Sequence, residues 1–289
     1  MKPLRTHSAT KPSPLPPADQ KAAYVQEMFN RIARRYDRMN RIMTFGHDRA
    51  WRRIAVAQLG LGLPLPDSEP AVSSPRAGPT PTTHQPRRAV LDLATGTGDL
   101  GLEILRQEPD VRVIGLDFAP GMLRLARRKA DSLGYGTENH GRLSFGLTAG
   151  DALRLPFADS TFDGVVTGFA LRNVTDIPAA FAEMARVTRP GGRVACLEIA
   201  KPQLPLFRQL FGFYFYRLVP LLGSLIGGER AAYTYLPHSL TAFLTPGEIV
   251  EVMRHAGWQD VRYQRLMLGT VAVHLGVRTG HGLANNSEK

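Results

Sequence analysis

The stretch Val90-Leu91-Asp92-Leu93-Ala94-Thr95-Gly96-Thr97-Gly98-Asp99 constrains this chain more than any other. It begins as an apolar run, breaks at Gly-Thr-Gly, and continues into a helix-compatible segment over 100–107. Apolar run, tight turn and helix make the opening unit of a doubly wound sheet. Glycines let the backbone approach a bound group closely, and the following helix offers free N–H groups at the positive end of its dipole. With no ligand, the same stretch is a tight strand-to-helix turn.

Gly96, Gly98 and Gly101 satisfy the spacing G-x-G-x-x-G, a pattern that alone does not identify a ligand. Asp92 narrows the choice. A carboxylate late in the strand, beside the turn, repels a pyrophosphate and attracts an ammonium. The turn and helix N–H groups suit a carboxylate. A methionine moiety carries both groups, so the loop favours S-adenosylmethionine over a dinucleotide. A second acid, Asp117, closes the apolar run at 111–116, 25 residues after Asp92. That is close to the roughly 20-residue spacing of a ribose-binding carboxylate, and an acceptor-only side chain there can take both ribose hydroxyls. Phe118 follows, placed either to pack on adenine or to sit in the core. Asp151, after the run at 143–149, is either an acceptor for the adenine amino group or a turn residue.

Around these motifs, strand-like and helix-like segments alternate. Strand-like runs occupy 89–94, 111–116, 143–149, 162–166 and 193–200; helical segments lie at 120–132, 177–188 and 246–255. Arg189-Pro190-Gly191-Gly192 is a strong stop for the helix before it. Such alternation means a parallel sheet with helices on both faces. Two further runs, 259–267 and 270–277, are joined at Leu268-Gly269. That joint is too short for a crossover, so they form an antiparallel edge hairpin. The expected fold class is α/β, a doubly wound, mostly parallel seven-stranded sheet with that hairpin at its C-terminal edge, spanning 89–278. Before it come a disordered tail at 1–18, a helical segment at 19–63 and a flexible Pro-, Ser- and Thr-rich linker at 64–88; a polar tail follows at 279–289.

A formal net charge of +11 implies affinity for anionic surfaces, nucleic acid or acidic lipid. Much of that charge flanks one helical stripe. Tyr24, Met28, Ile32 and Tyr36 recur every four residues, while Arg31, Arg34, Arg35, Arg38, Arg41, Arg49, Arg52 and Arg53 crowd the same short region. A solvated face and a surface that meets lipid or RNA both fit. Residues 204–228 are the most apolar part, interrupted by Arg208, Arg217 and Pro220 and shorter than a bilayer span. They fit a buried helix, a lid over an apolar substrate (201–240), or an interfacial helix. One cysteine, Cys196, excludes an internal disulfide and reads as a buried bystander. The histidines show no metal-ligand spacing, so no metal is expected. The N-terminus lacks the apolar core of a signal peptide, so the expected location is the cytosol, with room for peripheral contact at the inner face of the cell membrane.

Three blocks carry a closer resemblance. Phe29-Asn30-Arg31-Ile32-Ala33-Arg34-Arg35-Tyr36-Asp37-Arg38-Met39-Asn40 precedes the glycine loop, and Gly168-Phe169-Ala170-Leu171-Arg172-Asn173-Val174-Thr175-Asp176 follows it. Tyr233-Thr234-Tyr235-Leu236-Pro237-His238-Ser239 is the third. Over roughly 20–278 the chain resembles the ubiquinone/menaquinone biosynthesis C-methyltransferase family, class I S-adenosylmethionine-dependent methyltransferases with a Rossmann-like sheet. The resemblance implies cofactor contacts at Thr97, Asp117 and the pair Asp151-Ala152; Gly96 belongs to the same loop. The family often has a serine where this chain has Gly168, and a glycine where it has Ala170.

The resemblance also implies the reaction, methylation of a ring carbon of a prenylated quinol. The Ala-Thr-Gly-Thr-Gly-Asp form of the loop favours demethylmenaquinol; a methoxy-polyprenyl-benzoquinol is the alternative. Ionising a ring hydroxyl enriches the adjacent carbon in electrons, so an anion-stabilising group helps. Arg172 is the first candidate, with Asn173 as a hydrogen-bonding partner; a structural salt bridge is the other reading of Arg172. Tyr36 and Asp37 are candidates for the substrate mouth. An RNA methyltransferase and a non-catalytic binding protein are the rival classes. The apolar 204–228 segment suits lipid better than RNA, so no nucleic acid partner is expected, and homo-oligomerisation is left open.

Overall fold

A computed structural model describes residues 16–17, 19–61, 88–136, 144–224, 230–241 and 243–279. The expected linker at 64–88, apart from Arg88, and most of both expected tails lie outside these residues.

The sheet has seven strands in the order β3-β2-β1-β4-β5-β7-β6. These are β1 Ala89–Leu93, β2 Arg112–Asp117, β3 Phe145–Ala149, β4 Phe162–Gly168, β5 Thr188–Ile199, β6 Trp258–Leu266 and β7 Val271–Arg278. The first five pair in parallel. β7 pairs antiparallel with β5 and β6, which is the expected edge hairpin. Both faces of the parallel strands are buried, and alternation sorts their side chains. Leu91, Leu93, Val165 and Cys196 enter one core with Phe181, Met184 and Trp258. Val90, Val166 and Ala195 enter the other, with Trp51, Leu59, Ile104 and Phe145.

The helices follow local signals. α3 Asp99–Gln107 starts where Gly98 adopts the left-handed conformation, φ 83°. α4 Pro120–Ser132 carries proline in its first turn. α5 Ile177–Val187 is capped by Asp176, whose side chain accepts from the Ala179 N–H. α9 Pro246–His255 begins with a reciprocal capping box between Thr245 and Glu248. The Arg-Pro-Gly-Gly stop does not lie outside the strand. Thr188 already pairs with Phe162, and the register shifts before Gly164 pairs with Arg193, so the four residues form an irregularity inside β5.

Two N-terminal helices, α1 Lys21–Met43 and α2 Asp48–Leu59, precede the sheet. The α1 stripe packs on α4 and on α8 Arg230–Thr241 in a third core that includes Val25, Met28, Ile32, Met122 and Tyr235. Asn30 fixes this docking by accepting the Gly121 N–H at 2.7 Å. The 204–228 region corrects the buried-helix reading. It opens with α6 Pro205–Phe213, which has no buried residue, continues through a π turn at Tyr214–Leu218, and reaches α7 Val219–Leu222. Leu206, Leu210 and Phe213 are 71%, 59% and 62% exposed. Only Phe215, Val219 and Gly223 of 205–224 are buried. Residues 225–228 lie outside the described residues.

Candidate active site

The register of β1, β2 and β3 aligns their carboxyl ends: Leu93 is opposite Leu116, and Asp117 opposite Ala149. The loops leaving that edge build two neighbouring cavities. The crevice outside the carboxyl ends of such strands is where open α/β sheets bind ligands.

The glycine loop is held from below. Asp92 is 1% exposed, and its Oδ2 accepts the Thr95 hydroxyl at 2.5 Å and the Gly101 N–H at 2.8 Å. Burial pushes its carboxyl up to about 7, against these two hydrogen bonds. Asp92 lines neither cavity. The carboxylate ties the loop to α3 through one of its two oxygens. Gly101 is required by that approach. A Cβ there would lie 2.8 Å from the Phe145 ring and 3.0 Å from Asp92 Oδ2.

Above the loop, a cavity of about 840 Å³, partly open to solvent, is lined by Gly96, Asp117, Phe118, Asp151, Ala152 and Gly168, among others. Asp117 is positioned by backbone alone. Its Oδ2 accepts from the Gly96 N–H and its Oδ1 from the Ala119 N–H, both at 2.8 Å. Burial raises its carboxyl, opposed by these bonds. The carboxylate is acceptor-only and keeps capacity beyond these bonds, so a ribose hydroxyl fits Asp117. Asp151 both lines the cavity and shapes its turn, accepting the Leu153 N–H at 2.9 Å. Four expected cofactor residues, Gly96, Asp117, Asp151 and Ala152, thus come together in one cavity.

Thr97 does not join them. It lines neither cavity, is 2% exposed, and its hydroxyl donates to Asp37 Oδ1 at 2.6 Å and accepts from Lys129 Nζ at 2.9 Å. Lys129 also lies 2.5 Å from both Asp37 and Asp99. Arg52 extends the chain of charges from Asp99, at 3.5 Å, to Asp48, at 2.5 Å. Asp37, expected at the substrate mouth, is instead part of this clasp between α1 and the glycine loop.

The second cavity, about 960 Å³, lies between α1, α2, the π turn, α8 and the turn after β4. Its walls are mostly apolar and aromatic: Met28, Ile32, Trp51, Phe211, Tyr214 and Phe215 among them. Phe29, Tyr36, Phe169 and Asn173 line both cavities, forming a shared wall. Phe169 holds φ at 58°, unusual for a bulky residue. Its N–H donates to the Leu197 carbonyl at 2.7 Å, which pins the turn.

Arg172 lines the second cavity and is 8% exposed. Its Nη1 is 3.3 Å from Glu198 Oε2, while its Nε has no hydrogen-bond partner among the described residues. Both readings of Arg172 therefore meet in one side chain, which pairs with a buried acid and still edges the cavity. Burial raises the Glu198 carboxyl, and the Arg172 charge opposes that rise. Glu198 also accepts the Leu171 N–H at 2.7 Å, fixing the turn that presents Arg172 and Asn173.

Sequence reasoning singled out neither Phe29 nor Phe169 as walls, and gave Trp51, Tyr233 and Tyr235 no role. Phe29 and Phe169 stood inside blocks quoted for their family likeness, but nothing in their spacing separates a cavity wall from a core residue. Cys196 is buried.

A family model described as the ubiE/COQ5 methyltransferase family matches residues 18–278. The chain belongs to this family. A demethylmenaquinone methyltransferase from Roseiflexus castenholzii is 46% identical over 266 residues, 92% of this chain and 98% of that protein. One from Deinococcus radiodurans is 40% identical, over 91% and 96%. A ubiquinone/menaquinone biosynthesis C-methyltransferase from Desulfotalea psychrophila is 39% identical, over 88% and 90%. Among solved structures, a SAM-dependent methyltransferase from Thermotoga maritima aligns with TM-score 0.53 at 17% identity, covering 88% of this chain and 99% of that one. That likeness concerns the fold alone. Within the ubiE/COQ5 family the protein is an S-adenosylmethionine-dependent methyltransferase.

Proposed function

We propose that this protein methylates the ring carbon of demethylmenaquinol, with Gly96, Asp117, Asp151 and Ala152 holding the donor and Arg172 and Asn173 serving the acceptor. The observation that carries the reading is the shared wall of Phe29, Tyr36, Phe169 and Asn173 between a polar-ended cavity and a larger apolar one. S-adenosylmethionine supplies an electrophilic methyl group on a sulfonium. The chain's own task is to seat an electron-rich ring beside it and keep water out, which is largely positioning. Loss of a proton from a ring hydroxyl enriches the neighbouring carbon. The positive Arg172, in a buried apolar wall, lowers the cost of that oxyanion. Asn173 is placed to hydrogen-bond an acceptor at the boundary of the two cavities. With the donor bound, the methyl group would pass from sulfur to the ring carbon, that carbon would release its proton, and the ring oxyanion would take one up to restore the hydroxyl. Relatives named for demethylmenaquinone support this acceptor over a benzoquinol.

The same reading includes peripheral contact with an anionic membrane, where a prenylated quinol resides. Among the described residues no helix is long and apolar enough to cross a bilayer. Phe211 of α6, with Tyr214 and Phe215 of the π turn that continues it, lines the acceptor cavity. Phe45, 71% exposed in the turn between α1 and α2, has its ring 5.7 Å from that of Tyr214. Phe45 thereby joins the turn between α1 and α2 to the cavity wall, and Arg41 and Arg49 on either side of that turn in sequence are exposed. Incubation with methyl-labelled S-adenosylmethionine and demethylmenaquinol, followed by product analysis, tests the reaction. Ring-labelled menaquinol is expected; labelled benzoquinol product alone would reassign the acceptor.

A further inference from the structure

The acceptor cavity is mostly apolar, yet two tyrosines in its wall carry hydroxyls with no hydrogen-bond partner among the described residues. Tyr233 and Tyr235 line the cavity and are 3% and 2% exposed. Both phenol oxygens are buried and unpartnered, as is Arg172 Nε. Buried polar groups are nearly always paired, so three orphans around one cavity call for a specific cause. Phenylalanine would fill the same space without the penalty. The two hydroxyls have different neighbours. Tyr235 feels the charge of Arg172, and its ring lies 5.7 Å from that of Tyr24. Tyr233 is near Tyr36, a residue of the shared wall. Burial pushes both phenols up to about 12, so near neutral pH each keeps its proton and can donate.

We infer that Tyr233 and Tyr235 are the hydrogen-bond donors that hold the two oxygens of a dihydroxy aromatic acceptor, with Tyr235 and Arg172 sharing the oxygen beside the methylated carbon. This rests on the acceptor reading of the second cavity. Two separate polar points in a greasy cavity fix a ring in its plane and in its rotation, which an apolar tail cannot do. They also reject rings that lack an oxygen at either point, because the donor would stay buried without a partner. Tyr235 acts where charge develops, and Tyr233 where it does not.

The test uses the full-length protein with Tyr235→Phe and Tyr233→Phe, a short-tailed demethylmenaquinol and a monohydroxy naphthalene analogue lacking one ring oxygen. Both variants are expected to melt at or above the wild-type temperature and to bind S-adenosylmethionine unchanged. Tyr235→Phe should lower kcat roughly tenfold or more, since its bond strengthens as charge develops. Tyr233→Phe should raise KM roughly tenfold with kcat held. Against the analogue lacking the oxygen Tyr233 serves, Tyr233→Phe should bind as the wild type does. If the wild type methylates the quinol and both variants match it within about twofold, the tyrosine assignment is overturned while the acceptor reading stands. If the wild type makes no ring-methylated product, both are overturned. A variant that loses activity together with thermal stability and cofactor affinity would mark its tyrosine as a packing residue and overturn its role as a donor.

Discussion

Asp92 and Asp117 are both buried carboxylates under one loop, but they differ in what they face. Asp117 edges the cavity proposed for the donor, so Asp117→Ala should weaken S-adenosylmethionine binding by about 1.5–3 kcal/mol, the range for hydrogen bonds to a charged group. Calorimetry with an unchanged affinity would remove it from the site. Asp92 is structural, and its titration should appear in stability. Its folded carboxyl is raised to about 7 from an ordinary value of 3.8. Between those values the folded state binds more protons than the unfolded state, so stability falls as pH rises. The contribution is fully present below pH 3.8 and is lost as pH passes 7. His274, buried and lowered to about 4 from 6.5, works in the opposite sense between those values. The useful comparison is therefore with Asp92→Asn. The stability of wild type relative to this variant should decline from pH 5 to 8, with a slope no steeper than about 1.4 kcal/mol per pH unit. A difference independent of pH would mean that Asp92 stays ionised throughout. Arg172 needs a paired design, because removing it leaves Glu198 buried without its cation. Arg172→Ala should cost about 3 kcal/mol of stability and at least roughly a hundredfold in turnover. Adding Glu198→Gln should restore much of the stability and little of the turnover. Recovery of both would make Arg172 a purely structural partner.

At the scale of elements, alternation and turn chemistry made most of the sheet legible. The runs at 89–94 and 162–166 are apolar because both sheet faces are covered, and Gly-Thr-Gly marks a real change of direction from β1 into α3. The strand assignment failed at Thr188, where pairing to Phe162 resumes before the glycines and overrides the local stop. That Asp117 and Asp151 reach one cavity was readable because both follow strands that end at the same sheet edge. Thr97 was not, since its partners Asp37 and Lys129 arrive from α1 and α4, remote in sequence. The tie of Asp92 to α3 was hidden for a related reason: it depends on the close approach at Gly101. The α6 region was legible as apolar but not as exposed. Its composition matches a core helix, and only the fold reveals that nothing among the described residues covers Leu206, Leu210 and Phe213.

At the scale of the molecule, the exposed apolar side chains of α6 bear on where the protein meets its substrate. A soluble domain seldom leaves several large apolar side chains together in water without a use for them. Here Leu206, Leu210 and Phe213 are exposed on α6, whose Phe211 lines the cavity proposed for the acceptor, and Phe45 meets the Tyr214 ring of the same wall. Arg41 and Arg49 flank Phe45 in sequence and are exposed. Each basic residue near an anionic bilayer contributes about 1 kcal/mol, falling off within a Debye length. Apolar insertion depends on buried area and is not screened. The two contributions are therefore separable by salt. Cosedimentation with anionic vesicles should weaken as salt rises, and neutral vesicles should retain little protein. Arg38, Arg41 and Arg49 changed together to Gln should abolish most of the salt-dependent part, leaving S-adenosylmethionine affinity intact. Leu206 and Phe213 changed to Ser should leave the melting temperature within a few degrees, because neither is buried. The same change should raise KM for a long-tailed quinol in vesicles, but not for a short-tailed one in solution. That contrast depends on where the acceptor resides, so it separates membrane delivery from chemistry in the cavity. Equal KM effects on both substrates would place these side chains in acceptor binding, and indifference of the wild type to anionic vesicles at low salt would exclude the membrane-facing role for this surface.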